Sequence, residues 1–222
     1  MNYHIGTMLI YEHFDGGSDC PVCKIKNAVD ARLTESYLGE KVMEDDTRKE
    51  VNKLGFCKSH YEALFSMRSK LGLALQTRTR LTYLKKLDID PNNVKSVKKA
   101  AVKLRESGNT CVVCKYLSEH MIRYYKTIAE VYAADEKFRE RIVASDGFCL
   151  NHYSYLAEYS AYAGKKQKSY LADISEAENK RLEKLGADLD EFCMRHDYRN
   201  ADKPMTGGKD ALKNAKKTFY GI

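Results

Sequence analysis

The heptapeptide Gly55-Phe56-Cys57-Lys58-Ser59-His60-Tyr61 returns as Gly147-Phe148-Cys149-Leu150-Asn151-His152-Tyr153, 92 residues further on. A close cysteine pair precedes each copy: Cys20-Pro21-Val22-Cys23-Lys24 and Cys111-Val112-Val113-Cys114-Lys115, 91 residues apart. Between the half-sites Arg48 and Val51 answer to Arg139 and Ile142, and downstream Leu64 answers to Leu156. The chain reads as an internal duplication of a unit of roughly 55 residues, with too few copies for a solenoid.

Each copy supplies three cysteines and a histidine, the donor number of a closed tetrahedral zinc site. A Cys-x-x-Cys knuckle brings two thiolates to one ion, and Cys-x-x-His at a helix start puts both side chains on one face at i and i+3. A helix N-terminus also favours the thiolate over the thiol. Taken repeat by repeat, the expected ligand sets are Cys20, Cys23, Cys57 and His60, then Cys111, Cys114, Cys149 and His152. Three thiolates and a neutral His around Zn²⁺ leave one negative charge, and Lys24, Lys58 and Lys115 stand where they can offset it. The bland alternatives are buried free thiols or two redox dithiols. Zinc is the expected ion, two per chain, and an iron–sulfur cluster is the alternative that the same ligands allow. A full ligand count leaves no position for a catalytic water, so a structural, non-enzymatic role is expected.

Only three prolines interrupt 222 residues, and apolar positions recur at helical spacing, so the fold class is all-α. Residues 1–75 are expected to form the first metal-binding helical unit and 107–165 the second. A basic linker helix region would span 76–106, a C-terminal helix 166–203, and a flexible or short-helix tail 204–222. Residues 1–18 read as an irregular entry arm. Proline at a first helical position marks a start at Pro21. A long helix is expected from Cys57, with Tyr61, Leu64, Phe65, Leu71 and Leu75 inward. Asp90-Pro91 reads as the start of the basic helix, with Val94, Val97, Ala101 and Leu104 inward. Leu117, Met121, Tyr124, Ile128 and Val131 form a later apolar stripe, Gly164 ends a helix, and Pro204 with Gly207-Gly208 marks a linker.

The formal charge of +7 is unevenly placed. Residues 76–106 hold nine Lys/Arg against Asp88, Asp90 and Glu106, a net +6 in that stretch. Lys95, Lys98, Lys99 and Lys103 are therefore candidates for phosphate contacts to nucleic acid. Aromatics suited to base stacking are nearly absent there, Tyr83 apart, which favours a solvated face or a docking surface for an acidic protein partner. No signal peptide or membrane-spanning run is read, and a cytoplasmic location is expected. In that reducing compartment close Cys pairs serve metals more often than disulfides. No P-loop, dinucleotide fingerprint, nucleophile elbow or His-Glu-x-x-His is present. Cys193 and His196 form a third Cys-x-x-His without a partner pair, so Cys193 is expected to be an ordinary buried thiol and His196-Asp197-Tyr198-Arg199 a helix-end cap. His120, on an apolar face, reads as a core histidine.

The pattern Cys-Pro-Val-Cys…Gly-Phe-Cys-Lys-Ser-His, with Leu38-Gly-Glu, Asp46-x-Arg48 and the Leu71-Gly-Leu-Ala-Leu run, resembles an uncharacterised bacterial family catalogued as domain of unknown function 6062. The resemblance carries over to Cys20, Cys23, Cys57 and His60, and by the internal repeat to the second set. Cys111-Val-Val-Cys114 lacks the proline, which does not touch ligation. The family brings no activity, substrate or partner.

Overall fold

In a computed structural model, residues 5–17, 19–87, 89–197, 199 and 208–222 are described. The linker read at Pro204 and Gly207, and Tyr198 and Asp88 with it, lies outside them. Every regular element among the described residues is helical: α1 Ile5–His13, α2 Pro21–Ser36, α3 Asp45–Leu54, α4 Lys58–Ser66, α5 Lys70–Lys85, α6 Val94–Gly108, α7 Val112–Ala134, α8 Glu136–Val143, α9 Leu150–Glu158, α10 Gln167–Arg195 and α11 Ala211–Tyr220. Short 3₁₀ turns fill Glu40–Met43 and Tyr159–Lys166.

The chain forms two compact units, and they are not the two sequence repeats. The central unit is Ala28–His120; the terminal unit combines Met1–Asn27 with Met121–Ile222. The boundaries fall inside α2 and α7. The 76–106 segment read as a linker lies wholly within the central unit.

In the central unit Tyr37, Val51, Leu64 and Leu73 share a core with Val112 and Val113. The long helix expected from Cys57 is broken at Met67–Ser69 into α4 and α5. That break changes the inward face. Leu64 stays buried, but Tyr61, Phe65, Leu71 and Leu75 are exposed, and Gly72, Leu73 and Gln76 turn inward instead. Gln76 donates to the Tyr37 carbonyl at 3.2 Å. The basic helix starts three residues later than its Asp90-Pro91 signal. Asn93 caps α6 by accepting from the Lys95 and Ser96 N–H groups, while Asp90 closes a local turn onto Asn92.

In the terminal unit the expected irregular arm is a helix. α1 buries Leu9 and Ile10, and Phe14 follows it into the core, 4.9 Å from the Phe138 ring. Its Tyr11 hydroxyl donates to Asp135 at 2.7 Å. α10 packs on α8, α9 and α11. Gly164, at φ 57°, makes the kink before it. The tail forms α11, with Ala211, Ala215 and Thr218 buried.

Candidate metal centres

Each Cys-x-x-His sits at a helix start for a local reason. Gly55 and Gly147 adopt φ of 67° and 81°, which glycine reaches without a Cβ penalty. A Cβ at Gly55 would lie 2.3 Å from Arg80 Cζ, and one at Gly147 would lie 3.0 Å from the Ala177 carbonyl. The turn then delivers Cys57 and Cys149 in extended conformation as the N-cap residues of α4 and α9. Arg80 secures the first turn by donating to the Val51, Asn52 and Ser107 carbonyls. Arg181 holds the second through the Asp146 carbonyl, and buried Glu178 accepts from Phe148 N–H at 2.9 Å. No motif in the sequence marks Arg80, Arg181 or Glu178, because their partners are distant backbone groups.

All eight candidate ligand residues converge, but not repeat by repeat. One cluster is Cys57, His60, Cys111 and Cys114; the other is Cys20, Cys23, Cys149 and His152. The half-sites have exchanged partners, which corrects the repeat-wise assignment. Val112 and Val113 are buried in the core that holds Leu64, so the second Cys pair arrives beside the first Cys-x-x-His. A backbone bond from Val112 N–H to the Gly55 carbonyl, 2.9 Å, fixes the approach.

Four ligand atoms in each cluster lie within 4.8 Å of one another. In the central cluster His60 Nδ1 stands 3.1, 3.3 and 3.3 Å from the sulfurs of Cys57, Cys111 and Cys114, and Cys57 to Cys114 is 3.8 Å. In the terminal cluster His152 Nδ1 stands 3.6, 3.2 and 3.2 Å from Cys20, Cys23 and Cys149, and Cys23 to Cys149 is 3.6 Å. Zinc bonds of about 2.3 Å to sulfur and about 2.0 Å to nitrogen imply tetrahedral edges of about 3.8 and about 3.5 Å. Both donor sets fit a tetrahedral ion.

The surroundings differ. His60 Nε2 meets Asp30 Oδ1 at 2.9 Å, so its N–H donates there and the Nδ1 lone pair faces the thiols. At the terminal centre the Tyr125 ring lies 6.2 Å from His152 and stacks on Tyr155 at 4.9 Å. All four terminal ligands are buried, whereas Cys57 is half-buried and Cys114 exposed. Gly221 closes over the terminal cluster so tightly that a Cβ there would be 2.9 Å from Cys23 Sγ. The lysines do not neutralise the thiolates directly. Lys24 pairs with Asp15, Lys58 with Glu62 and Lys115 with Glu50.

Without metal, the groups polarise one another. Burial alone would push Cys57 up, but the Ser59 hydroxyl, the backbone N–H of His60 and the other two thiols outweigh it and hold Cys57 at about 6. Partial burial of its sulfur against the cluster, together with the Cys111 and Cys57 thiols beside it, pushes Cys114 up to about 12 although the residue is exposed overall. Hydrogen bonds from Cys20 and Cys23 pull Cys149 down, while Cys20 is raised by burial. Burial would lower His152, yet bonds to Cys149 and Cys23 raise it to about 9. A metal entering the terminal centre would displace the His152 proton and thiol protons together, so loading should weaken as pH falls.

The family comparison covers the whole chain: the model of the family of unknown function DUF6062 matches residues 1–222. The chain belongs to this family. Comparison with curated proteins gave no match, and comparison with solved structures gave none. In this DUF6062 chain Cys193 is exposed rather than buried and joins no ligand cluster among the described residues. An exposed i, i+3 pair on the last turn of α10 has no second half-site to complete it. His196 shares a hydrogen bond with the Phe192 carbonyl at 2.9 Å, and Arg199 pairs with Asp197, a helix-end network. His120 is half-buried. No helix among the described residues is long and apolar enough to cross a membrane.

Asp30 gives a test of the central centre by itself. Asp30→Ala should weaken zinc binding there by about 10- to 100-fold, the usual cost of losing such a partner. The terminal affinity should stay unchanged, as a competitive chelator titration with two resolved steps would read.

Proposed function

We propose that this protein is a zinc-binding helical module with two structural Cys₃His centres, serving a non-enzymatic binding or scaffold role in the cytoplasm. The observation that carries the reading is the donor set: three sulfurs and one imidazole nitrogen within 4.8 Å of one another, twice. A filled sphere leaves no position for a substrate or an activated water. The ligands also sit at helix starts, so an ion there fixes where α2, α4, α7 and α9 begin.

Metal analysis of protein purified without added metal should give about two zinc per chain. Iron with inorganic sulfide and visible absorbance would replace zinc with a cluster. Folded, metal-free protein would defeat both.

A second reading, a redox or metal sensor, is favoured by one observation: Cys114 is exposed and stands 3.8 Å from Cys57. In it the central centre yields its zinc on thiolate oxidation while the buried terminal centre keeps its own.

A further inference from the structure

Helix α6 turns its apolar face to solvent. Within it only Ala100 is buried, with Ser96 and Ser107 half-buried. Val94, Val97 and Leu104 are 66%, 37% and 41% exposed, and Ala101 is exposed between them. Apolar spacing alone would place these four inward. The contact line that holds α6 to the central unit runs through Ala100 and through Ser107, whose carbonyl and hydroxyl accept from Arg80 at 3.0 and 2.7 Å.

The spacing of the uncovered residues, 3, 4 and 3, is that of a and d positions over two heptads. In that register Lys98 and Arg105 fall at e, directly beside the seam, and Asn93, Ala100 and Ser107 fall at g. Glu106, the only acid in the helix, falls at f, on the far side. The seam is thus apolar, small at Ala101, and bordered on its polar edge by cations alone.

We infer that α6 docks an acidic amphipathic helix of another protein, one with apolar a and d residues and Glu or Asp beside them. Flanking e and g charges set partner choice in such helix pairs, and opposite signs select each other. A second copy of this chain fits less well. It would set Lys98 and Arg105 against the same two cations or against uncharged Asn93, Ala100 and Ser107. A nucleic acid would use the other flank, where Lys86, Lys95, Lys99 and Lys103 line a cleft of about 430 Å³, and would leave the Val–Leu seam in water. This names the partner class for the binding role proposed above. It is tested on metal-loaded protein, so its failure leaves the metal reading standing.

The probe is a fluorescent three-heptad peptide with Leu at a and d and Glu at e and g, alongside a twin carrying Lys at e and g. Anisotropy with full-length, zinc-loaded protein should show binding of the Glu peptide and none of the Lys peptide. Lys98→Glu with Arg105→Glu should weaken the Glu peptide by about tenfold or more and create binding of the Lys peptide. Leu104→Asp should abolish binding, with metal content and circular dichroism unchanged; if helix is lost, Val97→Ser serves in its place. Equal binding of the two peptides, or of neither, would overturn the inference. So would retention of a short DNA duplex that Lys95→Glu with Lys99→Glu removes, or a dimer in sedimentation that Leu104→Asp dissolves.

Discussion

Replacing Cys20 and Cys149 together should remove about one zinc per chain, while replacing Cys20 and Cys57 together should remove both. The first pair shares the terminal centre; the second takes one ligand from each. Repeat-wise ligand sets would give the opposite result. Serine is the suitable replacement because it keeps the volume and loses the thiolate. Cys193→Ser should retain both ions and serves as the control. Two ions lost from a single substitution would mean that the centres are not independent.

Removing the metals should unfold the terminal unit. Structural zinc contributes about 10–16 kcal/mol of apparent binding energy in small zinc-finger peptides. A whole domain is stable by only about 5–15 kcal/mol, so folding without the ion leaves little or nothing in hand. The terminal unit would depend on an ion in a further way. Its Cys pair, Cys20 and Cys23, is 126 residues from Cys149 along the chain, counted from Cys23. Without an ion, that long closure would rest on the packing of α1 on α8 and on contacts such as Lys217 with Asp19 at 2.6 Å. Cys149→Ala should therefore lose helix signal and cooperative melting, as circular dichroism will read. During chelation or mild peroxide treatment the central zinc should leave first, because Cys114 is exposed. If chelated protein melts as the loaded protein does, the ions are not structural.

The sequence by itself picked out the eight residues that come together in two Cys/His clusters. Cys-x-x-Cys and Cys-x-x-His are local patterns whose meaning lies within one helical turn, and a duplicated register of eight such residues favours metal ligation over isolated thiols. It also determined the helical class, since apolar spacing and scarce proline are local quantities. Helix boundaries followed less well where a competing local interaction prevailed: Asn93 rather than Asp90 caps α6, and the chain breaks at Met67–Ser69.

Only the tertiary structure decided which half-sites meet. Chain length cannot decide it. Closing the crossed loops in place of the repeat-wise ones costs only about 1–2 kcal/mol, because closure entropy grows with the logarithm of length. That is small beside the energy of the metal bonds. The choice falls to packing, through Val112 and Val113 seated with Tyr37, Val51 and Leu64, and such a choice leaves no trace in spacing. Asp30, Arg80 and Glu178 were hidden for the same reason, since each acts on a group 27 to 30 residues away in sequence. The outward face of α6 was likewise invisible. An apolar stripe states that a helix has a face to bury, and the fold alone shows whether its own chain covers it.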